Sequence, residues 1–132
     1  SSIAYVKTKK NLLKTMHQIS KHLKQGGIVI IEPFVDKSAY VSGVPKATFV
    51  DTPDVKIARM NVSKRIGDIA KLDFNFLIAT KNGITYIKDR HELGLFSEKT
   101  FIGIMKKCGF SAISIKNGLM KDRCLYVGIK KA

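Results

Sequence analysis

Two cysteines are all that the chain of 132 residues carries. Cys108 and Cys124 have neither metal-ligand spacing nor the density of a disulfide framework, so both are expected as reduced core thiols, the first on a helix and the second on a strand. Acidic residues are also scarce, with 10 Asp plus Glu against 24 Lys plus Arg and a net charge of +14. That imbalance draws a surface toward polyanions such as nucleic acid or phosphorylated metabolites. The lysines, however, spread over every expected element, and no aromatic residues alternate with them as a base-stacking surface requires. A basic, solvated surface is the plainer reading. No apolar run approaches membrane-spanning length, and the first residues lack the basic-then-apolar pattern of a secretory signal, so a cytoplasmic protein without a membrane partner is expected. Low-complexity tracts and internal repeats are missing too, and 45% hydrophobic content suffices for one core.

What is present begins with Leu23 to Pro33, which joins a helix end, the Gly26-Gly27 turn and the apolar run Ile28 to Ile31. Four apolar residues without polar alternation suit a strand covered on both faces, as in parallel sheets wrapped by helices. In a doubly wound sheet a glycine-rich cofactor loop follows the first strand, yet only one helical segment lies upstream of Gly26. The chain therefore reads as the later half of an enzyme. Leu12, Leu13, Met16, Ile19 and Leu23 give the upstream segment helical spacing from Thr8 to Lys24, with Thr8 as its cap. His17 and His22 fall about 140° apart around that helix at 3.6 residues per turn, so they share no face and no metal site is expected.

Beyond Pro33, residues such as Ser38, Gly43, Pro45, Thr52 and Pro53 suggest an irregular loop or lid reaching Asp54. Three extended segments follow, Lys56 to Lys64, Asp68 to Thr80 and Ile84 to Leu93, joined by Gly67 and Lys81-Asn82-Gly83 as an antiparallel meander. Ser97 then caps a helix through Cys108 that turns Phe101, Ile104, Met105 and Cys108 inward, and Gly109 ends it. Two strands, Ser111 to Lys116 and Cys124 to Lys130, close the sheet's edge. The expected organisation is a helix and buried strand over 1–34, an antiparallel insert over 55–95, and a closing helix with two strands over 96–132.

In this order, the helix-Gly-Gly-strand unit, the Leu95-Phe96-Ser97 helix start, the Cys108-Gly109-Phe110 helix end and the closing Leu125-Tyr126-Val127-Gly128-Ile129 resemble the C-terminal half of class I S-adenosylmethionine-dependent methyltransferases. Within that class the chain is most similar to nucleotide-sugar N,N-dimethyltransferases. The similarity lies in Ser1-Ser2-Ile3-Ala4-Tyr5, Ile57-Ala58-Arg59 through Ser63-Lys64-Arg65-Ile66-Gly67-Asp68, His91 to Phe96, and Arg123 to Gly128. The resemblance implies the C-terminal part of a Rossmann-like α/β sheet in a three-layer core with an inserted antiparallel β-meander. It also implies S-adenosylmethionine as donor, although the family's glycine-rich loop after the first strand and acidic residue after the second are both missing. Tyr5 stands where members often carry His, and Cys124 where Gly is usual.

Methyl transfer to an amine requires loss of a proton, to solvent or to a base such as Tyr5 or His91. The resemblance puts Ser1 and Ser2 beside the donor. For a nucleotide-sugar acceptor, Arg65 and Arg123 offer planar forks for a pyrophosphate, with Ser63 as a neutral donor. Phe34 and Tyr40 are placed to stack on a base or sugar, or to pin their loop to the core. Glu32 ends the strand where open α/β sheets hold ligands, or else caps a neighbouring helix. The expected partners are a small-molecule acceptor and either a second copy or the missing N-terminal half, and the isolated fragment is expected to be inactive. The alternative is a basic nucleic-acid-binding or self-associating module without catalysis, for which steep salt dependence of nucleic-acid affinity is the sign.

Overall fold

Thr8 adopts extended backbone and its hydroxyl accepts the Asn11 N–H at 3.2 Å, which starts helix α1 (Lys9–His22) as capping chemistry dictates. A short 3-10 turn over Ser2–Val6 precedes it. Leu12 and Met16 are buried on one side of α1. The helix ends two residues before Lys24, and Gly26 and Gly27 then exchange backbone hydrogen bonds with Lys130 at 3.0 and 2.9 Å. This computed structural model describes residues 1–120 and 123–132.

The chain forms two compact units, Ser1–Tyr40 with Leu93–Ala132, and Val41–Glu92. In the first, β1 (Ile28–Ile31), β6 (Phe110–Ile115) and β7 (Leu125–Lys130) make a sheet of order β1-β7-β6. Both pairings are antiparallel, with Ile30 opposite Val127 and Ile113 opposite Val127 on the other side. The final pair closes one edge of this sheet, as expected, with β6 outermost and the last strand central. Helix α2 (Glu98–Lys107), capped by Ser97 through the Thr100 N–H at 3.3 Å, buries Phe101, Ile104 and Met105. These join Leu12, Met16, Phe110 and Tyr126 in one core, where each large side chain contributes about 1.5–3 kcal/mol on full burial. The Tyr126 ring lies 4.6 Å from that of Phe101, and burial pushes its hydroxyl pKa up.

Two expectations change. The Ile28 to Ile31 segment is a strand, but among the described residues its pairing is antiparallel, along one edge, and Ile28 and Ile30 are 57% and 62% exposed. Among the described residues, helices cover one sheet face, which makes two layers where three were expected; Ile28, Ile30, Ile113, Ile115 and Ile129 are exposed on the other.

The second unit is a four-stranded antiparallel sheet, β2-β3-β4-β5, built from β2 (Pro45–Asp51), β3 (Val55–Ile66), β4 (Ile69–Thr80) and β5 (Gly83–Gly94, which ends in the first unit). Strand β2 falls in the region expected to be irregular. Its Ala-Thr-Phe-Val core suits a strand, and Pro45 occupies the first position, where a missing N–H is tolerated. Phe49, Ala58 and Leu77 lie side by side on one face. Ile84 and Tyr86 share that face, because the Tyr86 hydroxyl meets Asn75 and Arg90 grips Asp73 with bonds of 2.5 and 3.0 Å.

Candidate functional site

In the first unit, the C-terminal end of β1 gathers five of the sequence-predicted residues. Pro33 is buried and anchors the exit of the strand. Phe34 follows, with the Tyr40 ring 6.3 Å away at a tilt. The Arg123 guanidinium lies over the Phe34 ring, 5.7 Å from its centroid, a distance at which a cation gains from the ring face. Arg123 also donates a hydrogen bond to the Ser1 hydroxyl. Glu32 accepts the Leu119 N–H at 2.7 Å and the Met120 N–H at 3.3 Å through one carboxylate oxygen. It caps a loop, not a helix.

Two features mark this end of β1 as more than packing. The Tyr40 hydroxyl is buried without a hydrogen-bond partner among the described residues, an expensive state for a polar group that a ligand would relieve. A planar cation stacked on an aromatic ring, beside a neutral hydroxyl, also suits phosphate or carboxylate oxygens. Tyr5 and Ser2 sit on the 3-10 turn of the same unit, with Tyr5 about half exposed.

The remaining predicted residues belong to the second unit. Ser63 and Arg65 alternate along β3, and His91 lies on β5 with its Nε2 2.8 Å from the Asp89 carboxylate and its ring edge-on to Phe74 at 5.3 Å. Ser63 is buried. Arg65 is committed to the hairpin turn, donating to the Gly67 carbonyl at 2.9 Å with Asp68 at 3.9 Å. Its neighbours on that face were missed in the sequence: Arg59 stacks on Phe74 at 5.2 Å and donates to Thr48 at 3.0 Å, and Asn61 is buried. The period-two polar series Arg59, Asn61, Ser63, Arg65 was the available signal.

Asp36 was also missed. Its carboxylate accepts the Glu98 N–H at 2.9 Å, capping α2 from a distant segment, and takes both the N–H and the hydroxyl of Ser38 at 2.8 and 2.5 Å. Burial opposes its charge, but those hydrogen bonds hold its pKa below the usual carboxylate value.

The likeness to known proteins runs along the whole chain. A curated dTDP-3-amino-3,4,6-trideoxy-alpha-D-glucopyranose N,N-dimethyltransferase of Streptomyces venezuelae is 26% identical over 130 residues, which are 98% of this chain and 54% of that protein. Among solved structures, DesVI of Streptomyces venezuelae matches with a TM-score of 0.91 and 26% identity, over 98% of this chain and 55% of that one. The chain is similar to half of a sugar N-methyltransferase. SAM-bound CalS10, an amino pentose methyltransferase of Micromonospora echinaspora, shares the fold with a TM-score of 0.89 at 19% identity, over 98% and 55% of the two chains. No protein-family model matches. The chain spans about half the length of the curated relatives it matches. No helix among the described residues is long and apolar enough to cross a membrane.

Proposed function

We propose that this chain is the C-terminal, acceptor-binding half of a cytoplasmic S-adenosylmethionine-dependent methyltransferase that methylates an amino group on a nucleotide-linked sugar. What carries the reading is the match, along nearly all of this chain, to about half of sugar N-methyltransferases, together with the Ser1, Phe34, Tyr40 and Arg123 cluster at the end of β1. S-adenosylmethionine supplies an electrophilic methyl group on a sulfonium. The residues present do not make up a pocket for it: Ser1 is engaged by Arg123, Ser2 lies in the 3-10 turn, and no glycine-rich loop follows β1.

The chain's own residues serve the acceptor. Arg123 meets the diphosphate, and Phe34 and Tyr40 stack on base or sugar. The amine's proton passes to solvent or to a base such as Tyr5 in the same unit. The open edge of β1 and its isoleucine face receive the remaining layers of the fold, since Ile28, Ile30, Ile113, Ile115 and Ile129 together leave a contiguous apolar face in the open. A second copy occupies the Phe49, Leu77, Ile84 and Tyr86 face of the insert, where large apolar side chains adjoin in the open.

Calorimetric titration of the chain with thymidine diphosphate tests the reading. Binding is expected, with a loss on the order of tenfold in Arg123→Ala, the scale of one charge-assisted hydrogen bond. Absence of diphosphate binding, or tight binding of S-adenosylmethionine to these 132 residues alone, overturns it.

A further inference from the structure

We propose that Glu32 is a positioning residue whose carboxylate latches the backbone of Gly118, Leu119 and Met120 and so holds the Arg123 guanidinium beside Phe34 and Ser1. The inference rests on the reading that Arg123 receives the acceptor's diphosphate. Glu32, expected from its place at the end of the strand to face a ligand, acts instead through the backbone.

Three sets of contacts build the latch. First, one oxygen of Glu32 accepts two consecutive amides, Leu119 at 2.7 Å and Met120 at 3.3 Å. Successive N–H groups aimed at one point form an anion-binding concavity, and bonds to an ionised acceptor are roughly twice as strong as neutral ones. Second, the approach depends on residue 118 having no side chain. A Cβ on Gly118 would lie 2.9 Å from the Glu32 Oε2 and 3.1 Å from the Arg123 carbonyl oxygen. Third, the latched amides are tied to the arginine. The Gly118 N–H donates to the Arg123 carbonyl at 2.6 Å, and the Arg123 N–H donates to the Met120 carbonyl at 3.2 Å.

The arginine side chain then returns toward the strand from which the carboxylate came. It crosses Phe34, two residues beyond Glu32, and reaches the Ser1 hydroxyl. Carboxylate, loop backbone and guanidinium thus form a closed circuit, and releasing the first contact frees the last. Leu119 and Met120 are exposed, at 86% and 51%, so little apolar burial holds the loop in their stead.

Amide hydrogen exchange tests the latch without any ligand. In Glu32→Ala the Leu119 and Met120 amides are expected to exchange on the order of tenfold faster, as befits loss of a charge-assisted bond, while amides of α1 keep their rates. Glu32→Gln, which retains an acceptor oxygen, is expected to recover part of the protection. Gly118→Ala, which leaves the carboxylate in place, should also accelerate both. Unchanged exchange at 119 and 120 overturns the proposal.

Affinity for thymidine diphosphate across wild type, Glu32→Ala, Arg123→Ala and the double variant then tests the route. A loss of about tenfold in Glu32→Ala that disappears in the Arg123→Ala background supports action through the arginine. Affinity for unphosphorylated thymidine is expected to stay level. Additive losses overturn the positioning role. If Arg123→Ala leaves diphosphate affinity unchanged, or wild type does not bind it, the functional reading fails and the positioning of a diphosphate-binding arginine falls with it, whatever the exchange rates show of the latch.

Discussion

Gly128 is the residue on which the contact between α2 and the central strand turns. A Cβ there would meet the Met105 Cε at 2.6 Å and the Val29 Cγ1 at 3.1 Å, so helix and sheet approach as closely as they do because the position is empty. Gly128→Ala is expected to lower stability by about 1–3 kcal/mol, the usual cost of overpacking, with the shift read in urea unfolding. Met105→Ala should relieve part of that cost in the double variant. At this scale the sequence was most legible where a single side chain does a local job. Thr8 and Ser97 cap the helices they were expected to cap. Gly118 and Asp36 escaped notice because their partners, Glu32 and Glu98, lie 86 and 62 positions away, beyond any local pattern.

Among elements, the segment Asp36 to Ser38 acts as a strap on α2. Its backbone bridges Phe96, the Lys37 N–H reaches the Phe96 carbonyl at 3.2 Å, and the Asp36 carboxylate supplies the cap. Because the folded-state pKa of Asp36 is lowered, its contribution is complete above the unfolded value of about 3.9. It is lost as pH falls through the lower folded value. Asp36→Asn is expected to cost about 1 kcal/mol at neutral pH, the worth of a helix cap, and to flatten this part of the acid unfolding curve. Equal acid sensitivity in the variant would count against the strap. Helices and the meander could be read from periodicity, since one residue step changes the face and the pattern survives tertiary context. Strand β2 was hidden by the Pro, Gly and Ser residues around it. The isoleucine run of β1 revealed a strand but not its partner, because apolar residues report burial and not strand direction.

For the molecule as a whole, the self-association proposal concerns the face bearing Phe49, Leu77, Ile84 and Tyr86. Sedimentation equilibrium should find a dimer that dissociates on Leu77→Lys, with circular dichroism unchanged, because a charge there has nowhere to go but into the interface. A monomer at all concentrations would end that proposal. The acceptor-side residues were legible as types but not as a constellation. Five of them meet at the end of β1, whereas Ser63, Arg65 and His91 lie in the other unit, and only folding decides such grouping.

Strand β7, central in its sheet, imposes an order of events on the nascent chain. The insert is made of neighbouring hairpins, so it can close while still near the ribosome. β1 has to wait: roughly 100 residues separate it from Lys130, which at 5–20 residues per second means about 5–20 s of translation. Throughout that interval the Ile28 to Ile31 backbone lacks its β7 partner, and slow codons between 93 and 125 would prolong the exposure.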